Sequence, residues 1–186
     1  MRIFIAALIA FLGLAVTAWA GAGHNDRVGR AGHGGLQPFV LQKEKKDAKA
    51  QNFVLKDLSG REVSLERDYA GKVVLLHFWA SWCDACEKEF PAIERLANRF
   101  ESKGLGVLTI AGDSTSRAKA YAREHNLKLP VAVDTYGKAM RLFRVSVMPT
   151  SIVMDRDGRI LGRLVGGRDY DDPEAIKFFT DLLEGT

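Results

Sequence analysis

Apolar and polar positions alternate in blocks along this chain, and each block predicts an element. Val73-Val74-Leu75-Leu76-His77-Phe78-Trp79 is nearly unbroken in its apolarity, as in a central strand buried on both faces. From Cys83 to about Phe100 the apolar residues Phe90, Ile93, Leu96, Ala97 and Phe100 recur at helical spacing. Pro91 falls inside that helix, where it removes one backbone donor and should kink it. Upstream, Phe53-Val54-Leu55 and Val63-Ser64-Leu65 flank Asp57-Leu58-Ser59-Gly60, a pattern for a short β-hairpin. Downstream, a strand is expected at Val107-Leu108-Thr109-Ile110, a helix around Ser116 to His125, a short strand at Val131-Ala132-Val133 and a helix around Gly137 to Phe143. Thr150 to Met154 and Arg159 to Leu164 read as two strands joined by the turn Asp155-Arg156-Asp157-Gly158. Pro173 to Leu183 closes the chain as a helix capped by Asp171 or Asp172. The order is βαβ followed by ββα, which predicts an α/β domain: a mixed central sheet flanked by helices.

The first fifty residues break this pattern. After Arg2 an uncharged run extends from Ile3 to Val16 and ends in Ala18-Trp19-Ala20, the small-x-small form of a cleavage site. Residues 1–20 are read as a secretory signal peptide. The alternative is an uncleaved anchor that tethers the chain to a membrane, because a span needs about 20 apolar residues. Residues 21–50, rich in glycine and in charge at Lys43-Glu44-Lys45-Lys46-Asp47, show no apolar period and are expected to be a flexible linker. The folded domain is expected over residues 51–186.

Composition narrows the class. Of 186 residues, 47% are hydrophobic and 27% charged, the balance of a globular domain. The net charge of +4 is modest, and the basic residues form no patch interleaved with aromatics, so nucleic acid is not an expected partner.

Chemistry concentrates at the only two cysteines, Cys83 and Cys86, in Trp82-Cys83-Asp84-Ala85-Cys86. The pair stands where a strand hands over to a helix, and a helix N-terminus favours a thiolate, the reactive species. Zinc would need four ligands, but no third cysteine exists and His24, His33, His77 and His125 are scattered. Covalent haem would need a histidine after the second cysteine, where Glu87 stands. A purely structural disulfide across so short a loop would remove little chain entropy. A reversible dithiol remains, with no cofactor implied.

Phe78-Trp79-Ala80-Ser81-Trp82-Cys83-x-x-Cys86 together with Val147-Met148-Pro149-Thr150 resembles the thioredoxin-like superfamily. Glu89-Phe90-Pro91 and an extra strand–helix unit over residues 107–133 are similar to its exported TlpA/ResA/DsbE-like thiol–disulfide oxidoreductases. The resemblance implies a thioredoxin fold with an N-terminal β-hairpin and a central insertion. It implies that Cys83 is the nucleophile, Cys86 the buried resolving thiol, Pro149 a cis proline against the site, and Glu89 a buried acid managing protons at Cys86. It implies a periplasmic or other extracytoplasmic location, disulfide-containing exported proteins as substrates, and a membrane electron donor. His77 and Ala85 depart from the family pattern. His77 is expected as a hydrogen-bonded core residue, and Trp79 and Trp82 as packing around the site.

Acidic Asp84, Glu87 and Glu89 near the thiols disfavour a thiolate, which points to a reductase. Cytochrome c maturation is the substrate setting the resemblance suggests. The alternatives are an oxidase or isomerase of exported proteins, and a module that holds a metal or client through the dithiol.

Overall fold

The structure, a computed structural model, describes residues 35–45 and 48–185. The signal-peptide reading and most of the linker therefore lie outside the described residues. The elements run β1 (Gln42–Lys43), β2 (Val54–Asp57), β3 (Glu62–Ser64), α1 (Leu65–Tyr69), β4 (Val73–Trp79), α2 (Asp84–Phe100), β5 (Leu105–Ala111), α3 (Thr115–Glu124), β6 (Val131–Val133), α4 (Lys138–Leu142), β7 (Thr150–Met154), β8 (Ile160–Val165) and α5 (Pro173–Glu184). They build one eight-stranded mixed sheet in the order β1-β8-β7-β4-β5-β6-β2-β3. β4 runs parallel to β5 and β5 to β6, whereas β7 and β8 are antiparallel to their neighbours.

Every residue of β4 is buried, as its unbroken apolar run requires of a strand covered on both sides. Successive side chains point to opposite faces of a strand. Val73, Leu75 and Trp79 join the layer formed with α2, α3 and α5, where Ile93, Leu96, Phe100, Tyr121 and Phe179 pack. Val74, Leu76 and Phe78 face the other layer, with Phe53, Leu65, Ala139 and Phe143. The same parity turns His77 toward α2.

Two expectations change. The stretch read as linker up to residue 50 is partly folded: Gln42 and Lys43 pair with Arg163 and Gly162 of β8, and Leu36 and Phe39 are buried. The Phe39 ring packs on Tyr170, Phe178 and Phe179. The cause is the open edge of β8, whose unpaired backbone groups take up a strand that has no periodicity of its own. Gly162 permits the approach, since a Cβ there would meet the Gln42 carbonyl oxygen at 2.6 Å. The second change is α1, a five-residue helix absent from the sequence reading. Ser64 caps it, accepting from the Arg67 N–H, while Asp68 accepts from the Ser64 N–H at 2.8 Å. α2 itself continues from Asp84 through Pro91 to Phe100.

Candidate active site

β4 ends at Trp79, and the chain turns through Ala80 to Trp82 into the N-terminus of α2. Cys83 is the cap residue rather than the first helical one: its Sγ accepts from the Cys86 N–H at 3.3 Å and its carbonyl from the Cys86 N–H at 3.0 Å. The two cysteines form a disulfide with Cα atoms 5.3 Å apart. Cys83 keeps 9% of its surface exposed and Cys86 none, so an incoming thiolate meets Cys83. The turn is held from β5's side, where the Asp113 carboxylate accepts the Ser81 N–H at 2.6 Å and Gly112 donates to the Trp79 carbonyl at 2.8 Å.

The Met148–Pro149 peptide is cis. Thr150 lies opposite Phe78 in the β4–β7 ladder, so Pro149 comes level with the end of β4, beside the turn that carries Cys83. Met148 packs against the apolar layer that contains both cysteines. Gly112 makes room for it, since a Cβ there would fall 2.5 Å from the Met148 methyl. The two tryptophans divide. Trp79 is fully buried against Phe90 and Tyr121, whereas Trp82 is 68% exposed beside Cys83 and corrects the expectation that both pack around the site. Val147 is exposed on the proline loop.

Glu89 sits one helical turn after Cys86, on the same buried face of α2. Only 1% of its surface is exposed. Burial pushes its carboxyl up to about 8, against the opposing pull of the Arg168 backbone N–H and the Arg168 charge. That N–H donates to Glu89 Oε1 at 2.7 Å. The carboxyl is thus mostly neutral at pH 7 and adds little negative charge to the thiols. The charge near the dithiol comes from the exposed Asp84 and Glu87 instead.

His77 is a hydrogen-bonded core residue as expected, with Nδ1 2.9 Å from Ser151 Oγ. Burial drives its imidazole down to about 3, so it is neutral. Its Nε2 lies 3.7 Å from Glu89 Oε2. Ser151 also accepts the Tyr170 hydroxyl at 2.6 Å, and burial raises that phenol well above its usual range. The sequence alone singles out none of Ser151, Arg168, Tyr170 and Asp113 as site residues. Only the β4–β7 register, which sets Ser151 opposite His77, and the loop after β8 bring the first three to Glu89.

A surface-reachable sulfur, a buried partner sulfur, a neutral acid one turn away and a cis-proline loop beside them are the parts of a dithiol exchange site. The sequence pattern of the AhpC/TSA family matches residues 47–162. The thiol-disulfide oxidoreductase ResA of Bacillus cereus is 36% identical over 142 residues, covering 75% of this chain and 82% of that protein. The chain is a thiol–disulfide oxidoreductase of the AhpC/TSA family. A crystal structure assigned to a thiol:disulfide interchange protein DsbE from Chlorobium tepidum superposes with a TM-score of 0.69 at 34% identity. It covers 77% of this chain and 99% of its own. StoA from Bacillus subtilis, 24% identical with a TM-score of 0.60, covers 72% and 98% and shares the fold. Membership in the family agrees with the thioredoxin-like sheet and the paired cysteines described above.

Proposed function

We propose that this oxidoreductase works outside the cytoplasm as a reductase of disulfides in exported proteins. The observation that carries the exchange chemistry is Glu89, a buried acid beside Cys86 whose proton affinity lies near that of a thiol. In the reduced protein the Cys83 thiolate attacks a client disulfide. A Cys83–client bond forms, the client's S–S bond breaks, and the departing client sulfur takes up a proton. The Cys86 thiol then passes its proton to Glu89 in its ionised form, the minor form at pH 7, and attacks Cys83 Sγ. The Cys83–Cys86 disulfide forms, and the second client sulfur leaves and takes up the proton that Glu89 accepted. Two electrons and two protons have moved to the client, and a thiol donor must restore the dithiol.

The remaining parts follow from this cycle. Pro149 and the exposed Val147 lie on the loop level with the end of β4, and the loop backbone there would hold an extended client segment. A membrane electron donor restores the dithiol, and the Arg2-to-Ala20 segment exports or tethers the domain. Apocytochrome c disulfides awaiting haem are the substrate class consistent with the resemblance to exported oxidoreductases. The exposed Asp84 and Glu87 at the start of α2 oppose the helix dipole and weaken thiolate stabilisation, which favours the reducing direction.

Equilibration of the Cys83–Cys86 pair against a dithiol buffer tests the direction. A reduction potential near or below about −250 mV supports a reductase. A value near about −120 mV makes the protein an oxidant of exported thiols and overturns the proposal.

A further inference from the structure

Beneath the disulfide, β4, α2, β7 and the loop before α5 close around a line of four buried polar side chains. The Tyr170 hydroxyl donates to Ser151 Oγ at 2.6 Å, and Ser151 Oγ lies 2.9 Å from His77 Nδ1. His77 Nε2 then lies 3.7 Å from Glu89 Oε2. Among the described residues those last two atoms are fully buried and have no hydrogen-bond partner. An unpaired buried donor or acceptor is costly, and a slight turn of the carboxyl satisfies both at once.

The polarity of the line favours one imidazole tautomer. Tyr170 has one hydroxyl proton and donates it to Ser151. The Ser151 proton is then free to go to His77 Nδ1. A ring that accepts at Nδ1 carries its proton on Nε2, the nitrogen that faces Glu89. An N–H aimed at a carboxyl oxygen favours the ionised carboxylate. Glu89 Oε1 already takes the Arg168 N–H, so Nε2–H completes a two-sided clamp on the carboxylate.

We propose that His77 is a positioning residue for Glu89, and that the Tyr170–Ser151 hydroxyl pair aims its Nε2–H at Oε2 and so favours the carboxylate that takes the Cys86 proton. The proposal rests on the reading of Glu89 as the proton acceptor for Cys86. His77 orients and does not store a proton, because its own imidazole stays neutral down to about pH 3. The other groups that face Glu89 are the Arg168 N–H and guanidinium from the loop after β8, the Tyr170 hydroxyl, and the Cys86 thiol of α2 once the disulfide opens. The Phe90 ring, edge-on to His77, keeps that side dry.

Two measurements on the full chain test this. Nitrogen-15 NMR of the native oxidised protein reports the His77 tautomer: a proton on Nε2 is expected, and a proton on Nδ1 overturns the proposal. Carbon-13 NMR of the Glu89 carboxyl reports its titration midpoint. His77→Leu is expected to raise that midpoint by a unit or more, a tenfold or greater fall in the ionisation constant. Ser151→Ala, which keeps the imidazole but removes the donor to Nδ1, is expected to raise it by less and serves if His77→Leu does not fold. An unchanged or lowered midpoint in these variants overturns the proposal. Glu89→Gln separates the underlying reading: if it leaves the thiol exchange rate unchanged, the proton role of Glu89 fails while the His77 coupling stands or falls by NMR.

Discussion

The Arg168 backbone N–H donates to Glu89 Oε1 at 2.7 Å across 79 residues of sequence, tying the loop after β8 to the helix that carries the cysteines. The same arginine reaches outward. Its guanidinium donates to the carbonyls of Val165 and Pro38, so the N-terminal arm, the loop and the active-site helix are linked through one residue. The proton chemistry of the site is therefore coupled to the fold, and stability against pH reports it.

Glu89 and His77 shape that dependence in opposite ways. The folded Glu89 carboxyl titrates near 8 against 4.5 in the unfolded chain, so its contribution is full below pH 4.5 and is lost as pH rises toward 8. The folded His77 titrates near 3 against 6.5 unfolded, so its contribution is full above pH 6.5 and is lost as pH falls toward 3. Between 4.5 and 6.5 the two slopes cancel. Together they predict a plateau there, with stability falling on each side. Glu89→Gln removes the alkaline limb. Urea denaturation of oxidised native and variant protein at pH 5 and pH 8 checks this; equal stability differences at the two pH values would refute it.

Asp113 is expected to hold the turn before the cysteines. Its carboxylate accepts the Ser81 N–H, and Asp113→Ala leaves that donor without its partner. A loss of about 1–3 kcal/mol is the usual consequence. Faster amide exchange at Ser81 and Trp82, measured alongside the denaturation midpoint, distinguishes this local role from a general loss of packing.

Much of this architecture was legible in the sequence, because β4 is one unbroken apolar run and α2 keeps its helical spacing through Pro91. The cysteine pair declared itself by position alone, at the junction of those two elements. What escaped the sequence depends on contacts that no local pattern records. β1 has only two residues and exists because the edge of β8 accepts it. α1 is too short for a period to show, and its signal is the Ser64–Asp68 capping arrangement. Ser151 is invisible as a site residue until the β4–β7 register sets it opposite His77. Tyr170 and Arg168 arrive only when the loop after β8 folds back over α2. Trp82, expected to pack around the site, is exposed instead, because the turn after β4 points it outward.

The N-terminal arm supplies a test of the folded boundary. Gly162→Ala would set a Cβ 2.6 Å from the Gln42 carbonyl oxygen and 2.7 Å from Leu41 Cγ, and backbone cannot yield as a side-chain tip can. The expected result is release of residues 42–44 from β8, at a cost of about 1–3 kcal/mol. Limited proteolysis should then cut within that segment well before the native chain is cut. Identical cleavage rates would mean that the arm does not depend on the β8 edge.

Trp82 separates client contact from stability. At 68% exposure it contributes little to packing, so Trp82→Ala should change the denaturation midpoint by no more than about 0.5 kcal/mol. Its indole nonetheless stands next to Cys83, with Val147 exposed on the neighbouring proline loop. A protein client that docks on this apolar rim should be reduced several-fold more slowly by the variant. A small disulfide such as oxidised glutathione, which needs only the Cys83 sulfur, should react at nearly the native rate. Comparing the two substrates isolates the rim, because a disturbed thiol would slow both alike. If the protein and the small disulfide are slowed equally, the defect lies in the cysteine pair, and Trp82 is no part of the docking surface.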